Sequence, residues 1–277
     1  MSVQGWRYYN HAMLPDGQPD KEPDLTPVEN GEIWSNVHGG GTPLLARWTT
    51  DWDCGHETGW WYVIKDTPFD INALKAKRRY EITKGNKNFF VRPIDPKQYK
   101  FEIYEIQRAA YAVYPEKYRP HVEQGRLFEE IEEWPYYRVY GAFHTESNEM
   151  VGYAALNRSD KYIYYVIHKV VPQYESLGIN AAIVNKILVD HHEFLESGGY
   201  ISDGSRNILH ETRFQDYLEK YFEFRKAYCT LHIQYRAMIK PLVKLLYPFR
   251  RYLYKNDKNS LVHKVNGILK MEEIVRS

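Results

Sequence analysis

Tyr162 to Ile183 reads YIYYVIHKVVPQYESLGINAAI. Its first part, through Val171, is rich in aromatic and β-branched side chains, which is the composition of a buried strand. Pro172 ends that strand, since proline donates no ladder hydrogen bond, and a short turn through Gly178 opens a helix expected over Gly178 to Glu196. A strand that feeds a glycine-containing helix start turns unpaired backbone N–H groups and the positive helix end towards an anion. This stretch therefore outlines a pyrophosphate site.

Outward from it, the chain alternates. Helices are expected over Lys97 to Val113 and Glu123 to Glu133, then strands over Tyr137 to His144, Met150 to Arg158 and Tyr162 to Val171, with turns at Glu146 to Glu149 and Asn157 to Lys161. After the central helix come a short strand Gly199 to Ser202, a helix Glu211 to Glu223 and a strand Arg225 to Ile233. That order predicts an α+β fold with a mixed, mostly antiparallel sheet flanked by helices. Upstream, Pro43 to Thr49 and Trp60 to Lys65 read as strands of a hairpin joined by the polar hinge Asp51 to Gly59. Phe69 to Lys84 reads as a basic amphipathic helix that Gly85 ends, and Asn88 to Ile94 as a strand. Asp16 to Glu32, with six acids and Pro19, Pro23 and Pro27, reads as an irregular arm. The expected organisation is 1–87 as arm, hairpin and basic helix, 88–235 as the main domain, and 236–277 as a helical tail.

Composition narrows the function. The 277 residues carry 37 Lys and Arg against 36 Asp and Glu, so no global field attracts nucleic acid and any electrostatic recognition must be local. Tyr at 25 and Trp at 7 suit carbohydrate or amphipathic ligands, because these rings stack and hydrogen-bond at once; packed strand and helix faces use them equally well. Around Trp52, Trp60, Trp61 and Tyr62 either use is open: a stacking wall for a pyranose acceptor, or the core of the hairpin. Cys54 and Cys229 form no disulfide framework, and the chain has neither a leader pattern nor a long apolar run, so a cytoplasmic protein is expected. His38-Gly39-Gly40-Gly41-Thr42 reads as a turn. Asp53, Cys54, His56 and Glu57 lack a second ligand cluster, and His191 and His192 are adjacent and face different sides of a helix, so no metal is expected.

Glu175-Ser176-Leu177-Gly178-Ile179-Asn180 resembles the Gln/Arg-x-x-Gly-x-Gly/Ala motif of the GNAT acyltransferase superfamily, at the same strand-to-helix junction. One glycine is kept, while Glu175 stands at the basic or amide position and Asn180 at the second small one. The element order over Asn88 to Ile233 is the GNAT order, and Lys220 to Lys226 is similar to the family's Glu-Lys-x-Gly-Phe-Arg ending, with Glu223 for glycine. Lys77 to Phe89 is similar to a basic helix of the FemABX-type members, which transfer amino acids from aminoacyl-tRNA to lipid-linked peptidoglycan precursors.

The resemblance implies a GNAT-like fold and an N-acyltransferase that moves an acyl group, acetyl above all, from acetyl-coenzyme A to a small amine, an amino sugar of a cell-envelope polysaccharide. It implies a splayed strand whose backbone at Val170 and Val171 pairs with pantetheine, and a pyrophosphate cradle formed by Leu177, Gly178, Ile179, Asn180 and Ala181. Replacing Gly178 with a bulky residue is then expected to abolish coenzyme binding without unfolding. Asn207 is a candidate for the pantetheine or phosphate region, with Arg206 beside it. His168, on one strand face with Tyr164, Val166 and Val170, is the candidate base that deprotonates the acceptor. Tyr217 is the candidate acid. Two alternatives remain: a FemABX-like transferase using charged tRNA on a peptidoglycan precursor, and a degenerate GNAT fold that only binds.

Arg236 to Lys255, RAMIKPLVKLLYPFRRYLYK, holds six basic residues and no acid among Leu, Val, Tyr and Phe. It reads as a helix packed on the domain, or as a peripheral contact with the inner face of an anionic membrane.

Overall fold

The computed structural model describes residues 3–34, 42–114, 116, 119–208, 213–257 and 259–277. In chain order the strands and helices are β1 (Trp6–Tyr9), β2 (Ala12–Pro15), α1 (Thr26–Glu29), β3 (Leu45–Thr50), β4 (Trp60–Lys65), α2 (Ala76–Asn88), β5 (Phe89–Ile94), α3 (Lys100–Ala112), α4 (Gln124–Glu132), β6 (Arg138–His144), β7 (Met150–Arg158), β8 (Tyr162–Val170), α5 (Ile179–Asp190), α6 (His192–Glu196), β9 (Tyr200–Ser205), α7 (Phe214–Phe222), β10 (Arg225–Tyr235), α8 (Ile239–Leu246), α9 (Arg250–Lys255) and α10 (Ser260–Arg276). They fall into two compact units: Met1–Tyr62, Ser205–Thr212 and Lys226–Ser277 in the first, Val63–Gly204 and Arg213–Arg225 in the second. N-terminal and C-terminal segments thus share a unit, and the basic helix α2 belongs with the GNAT-ordered elements. The turn expected at Gly39 to Gly41 lies outside the described residues, as do Glu211 and Thr212 at the expected start of α7.

In the first unit, Asn10 and His11 both take positive φ, 46° and 64°, which closes β1 and β2 into a tight antiparallel hairpin. β2 runs parallel to β3, and β3 runs antiparallel to β10 from Leu45↔Tyr235 to Thr50↔Thr230. The expected hairpin of β3 with β4 does not form. Asp51 and Asp53, both at φ 52°, turn the intervening loop aside, and the Cys54 amide donates to the Tyr228 carbonyl (3.0 Å) while Thr58 Oγ1 donates to the Cys229 carbonyl (2.7 Å). The loop is thereby tied to β10, which is the neighbour of β3. The acidic arm is packed: Val28 and Ile33 are buried with Val3, Trp6, Met13 and Ala46.

In the second unit, β5, β6, β7 and β8 form an antiparallel meander, and β9 joins β8 in parallel. β6 and β7 carry runs of consecutive buried residues, the signature of strands covered on both faces. One core packs Ile103 and Ile106 of α3 and Leu127 and Ile131 of α4 against Val139, Phe143, Met150, Tyr153 and Ala155. Each such fully buried aliphatic side chain contributes about 1.5–3 kcal/mol. α5 buries Ile179, Ala181, Ala182, Ile183, Val184, Ile187 and Leu188, more than one face of the helix, because α2 also packs against it. The helix expected over Gly178 to Glu196 breaks at His191 into α5 and α6.

α2 starts later and ends later than its sequence suggests. Asp70 caps a short turn over Ile71–Ala73, accepting from the Asn72 amide (2.8 Å), and the helix then runs through Gly85 to Asn88. Gly85 continues the helix because its missing side chain is used for packing. A Cβ there would lie 2.4 Å from the Gly178 carbonyl oxygen and 3.0 Å from the Ala182 nitrogen.

Candidate functional site

The β8–β9 pair holds together only at its start, where Tyr162, Ile163 and Tyr164 face Tyr200, Ile201 and Ser202. β8 continues to Val170 against β7, and its register shifts where Ala155↔Ile167 gives way to Leu156↔Tyr165. Val166 is the extra residue and is exposed. A bulge bends its strand, and beyond Tyr164 the two strands have separated. The second unit thus has a splay between β8 and β9.

The polar groups of the splay come from β8, β9, α5 and α7. His168 Nε2 lies 2.8 Å from Asn180 Oδ1, so Nε2 carries the proton and Nδ1 is left as a buried acceptor without a partner among the described residues. The Phe214 ring packs 4.4 Å from the His168 ring, 6.2 Å from Tyr165 and 6.2 Å from Tyr217. The hydroxyls of Tyr165 and Tyr217 are likewise buried without a partner among the described residues. Three orphaned polar atoms around one phenyl ring call for an explanation, since buried polar groups in folded proteins are nearly always bonded.

Asp203 is the titrating group of this splay. Its carboxyl is pushed up to about 7 by burial, against a weaker opposing effect of its hydrogen bond to Gln215. It nevertheless keeps partial access to solvent, and its neighbour Gly204, at φ 88°, has open space where a Cβ would point. Ser202 anchors the strand just before it, donating to the Val63 carbonyl (3.0 Å) and accepting from the Gly204 amide (2.9 Å). A carboxyl raised to about 7 that keeps partial access to solvent has the proton affinity a general base requires near neutral pH.

The sequence-derived residues fare differently. Burial lowers His168 to about 4, so it is neutral and weakly basic at pH 7, and its contacts fix Asn180. Burial raises Tyr217 above its ordinary range, so its hydroxyl stays protonated. His168, Asn180 and Tyr217 are thus gathered in the splay, around Phe214. Asp203 escaped sequence reasoning, because in a stretch reading Ser202-Asp203-Gly204-Ser205 an acid before glycine is an ordinary turn residue.

Val170 and Val171 divide. The Val171 amide donates to the Val151 carbonyl (2.9 Å), so it is already paired with β7, and ladder alternation turns the Val170 peptide groups to the other edge. Leu177, Gly178, Ile179, Asn180 and Ala181 do form the turn and first residues of α5, with Gly178 at φ 86°. Where a cradle was expected, however, α2 is packed. A Cβ on Gly178 would meet Gly85 Cα and N at 3.0 Å, Lys84 Nζ donates to the Ser176 carbonyl, and Asn88 Nδ2 donates to the Leu177 carbonyl (3.0 Å). Gly178 is thus closed in by α2 on its Cβ side, and Glu175 lies on the same turn.

Arg206 and Asn207 belong to the first unit. The Arg206 amide donates to the Trp61 carbonyl (2.9 Å), its Nη1 to the Gly59 carbonyl, and its guanidinium lies 4.2 Å over the Trp61 ring, which leaves it turned to its own unit rather than to a phosphate. Asn207 is exposed. Trp60 is buried with Cys229 and Leu231 in the core of the first unit, and the partly exposed Trp52 packs on Tyr62 (5.3 Å). Among the described residues no group of His, Cys, Asp or Glu could hold a metal, and no helix is long and apolar enough to cross a membrane. A half-open cleft of about 310 Å³ beside Asp95, Lys97, Trp134 and Arg138 includes none of the splay residues.

No family model matches the sequence, and no curated protein matches it. Solved structures do. L-PGS from Bacillus licheniformis superposes with a TM-score of 0.53 over 87% of this chain and 83% of that one, at 12% identity. The C-terminal DUF2156 domain of a putative lysylphosphatidylglycerol synthetase from Agrobacterium fabrum gives 0.51 over 84% and 80%, at 11% identity. At such identities the likeness is one of architecture. The chain has a GNAT-like fold, a mixed and mostly antiparallel sheet flanked by helices.

Proposed function

We propose that the protein is a transferase that moves an acyl or aminoacyl group to a nucleophilic acceptor in the β8–β9 splay, with Asp203 as general base. The observation that carries this reading is the Asp203 carboxyl, lifted to about 7 yet partly open to solvent where two strands part. In its ionised form Asp203 takes the proton of the acceptor's amine or hydroxyl as that atom attacks the donor carbonyl. Bond formation at the carbonyl carbon is followed by loss of the carrier, which needs a proton. The Tyr217 hydroxyl, held protonated and without a partner among the described residues, is the group assigned to donate it, and it is restored by the proton that Asp203 took.

The sequence resemblance names acetyl-coenzyme A as donor and an amino sugar as acceptor. A second reading, an aminoacyl ester carried by tRNA, is favoured by a row of exposed cations on and beside α2. The exposed cations Lys75, Lys77, Arg79 and Lys87 of the α2 region suit a phosphodiester carrier. The names of the two similar structures, which speak of lysylphosphatidylglycerol synthetase and L-PGS, support aminoacyl transfer. We take the aminoacyl donor as the better supported.

The deciding experiment offers the purified protein labelled acetyl-coenzyme A or labelled aminoacyl-tRNA with amine, amino-sugar and lipid acceptors, and follows thermal unfolding with each donor. Labelled product with wild type, reduced ~10²–10⁴-fold in Asp203→Asn, is the expected result. No product and no donor-dependent rise in melting temperature would sink the transferase reading and leave a GNAT-like binding protein.

A further inference from the structure

We infer that the α8–α9 face of the first unit docks on an anionic lipid bilayer. Ile239 to Lys255 winds helically through α8, a short turn over Tyr247–Phe249, and α9. Met238, Leu242, Leu245, Phe249 and Tyr252 follow one another at intervals of four, three, four and three residues, which aligns them on one side of a helix. They are 69%, 52%, 65%, 61% and 69% exposed, so this row faces away from the core, while Val243 on another side of the same helix is buried. Five large apolar residues in an exposed row are beyond the scattered singletons of an ordinary surface.

A second row identifies the occupant. Lys240, Lys244, Arg251 and Lys255 are exposed at spacings that also share a helix face, and among the described residues none of them forms an ion pair. From Arg236 to Asn256 the chain has no acid. Glu273 of α10 accepts from Arg250 Nε (2.8 Å), and Asp257, which follows the segment, pairs with His263 (2.8 Å). An apolar row with a row of unpaired cations is complementary to acyl chains under anionic headgroups. A second copy fits worse, because a symmetric pair would bring the same four cations together.

This surface lies wholly in the first unit, and lipid binding there is independent of the transfer reaction proposed above. The test is co-sedimentation of the full chain with vesicles of phosphatidylcholine alone or with about a third phosphatidylglycerol. Wild type should pellet with the anionic vesicles and stay in solution with the neutral ones. Leu242→Ser/Leu245→Ser/Phe249→Ser and Lys240→Ser/Lys244→Ser/Arg251→Ser, all at exposed positions, should keep the wild-type melting curve and each lose at least ~10-fold in partitioning. Wild type left in the supernatant with anionic vesicles, or the triple-Ser apolar variant pelleting as wild type, would overturn the inference. So would a wild-type dimer in sedimentation equilibrium that the apolar variant dissolves while vesicles bind neither protein.

Discussion

Gly85, in the last turn of α2, and Gly178, at the start of α5, meet backbone to backbone: a Cβ on the first would sit 2.4 Å from the carbonyl oxygen of the second. The contact is reciprocal, since a Cβ on Gly178 would lie 3.0 Å from Gly85 Cα and N and 3.2 Å from the Glu81 carbonyl. No side-chain rotation relieves such a clash, so Gly85→Ala should cost on the order of 2–4 kcal/mol in urea-induced unfolding. Gly178→Ala adds the strain of φ 86° and should cost at least as much. A Gly178 variant as stable as wild type would mean that the two helices are not in contact. The expectation that Gly178 can be changed without disturbing the fold is therefore replaced: loss of ligand binding in such a variant reports on packing first.

Asp203 makes stability depend on pH in a stated direction. Below pH 3.8 the carboxyl is protonated in folded and unfolded chains alike; between 3.8 and about 7 the unfolded chain ionises while the folded one holds its proton, so the fold loses stability as pH rises through that window. Asp203→Asn removes the titration. It should match wild type near pH 4 and exceed it above pH 7 by on the order of 2–4 kcal/mol, read from denaturant midpoints across pH. A gap that does not change with pH would contradict the raised carboxyl.

The same substitution has a kinetic signature. If Asp203 is the base, the rise of kcat/KM with pH in wild type should centre near its folded value of about 7, and that limb should vanish in Asp203→Asn. A purely structural role would lower the rate without removing the limb.

His168 and Asn180 form a buried pair whose partners are worth more together than apart. Asn180→Leu leaves Nε2–H of His168 without an acceptor and should cost about 1–3 kcal/mol, while a second change, His168→Leu, should recover part of that loss in a double-mutant cycle. Burial also lowers His168, so the pair stabilises the fold above pH 6.5 and loses that contribution as pH falls towards about 4. Additive single and double variants would show that the two side chains do not interact.

Tyr217→Phe separates function from stability. Its hydroxyl is buried without a partner among the described residues, so removing it should leave melting unchanged or raise it slightly, while transfer falls about 10²-fold if the hydroxyl protonates the leaving carrier. An equal rate in the variant would remove Tyr217 from the mechanism.

Much of the second unit was legible from local pattern. The strands of the meander, the helix following Gly178 and the junction between them are written in composition and periodicity, which local sequence carries directly. His168, Asn180 and Tyr217, singled out from the sequence, lie near one another around Phe214. What the sequence did not hold were choices between distant segments. β3 pairs with β10 instead of β4, Gly85 continues a helix because Gly178 lies against it, and the Val171 amide is used by Val151. Asp203 looked like a turn acid, and only the walls folded around it lift its carboxyl to about 7. Local propensity sets which elements exist; pairing, occlusion and desolvation arise between residues far apart in the chain, and so the tertiary structure alone decided the surroundings of Asp203, His168 and Gly178.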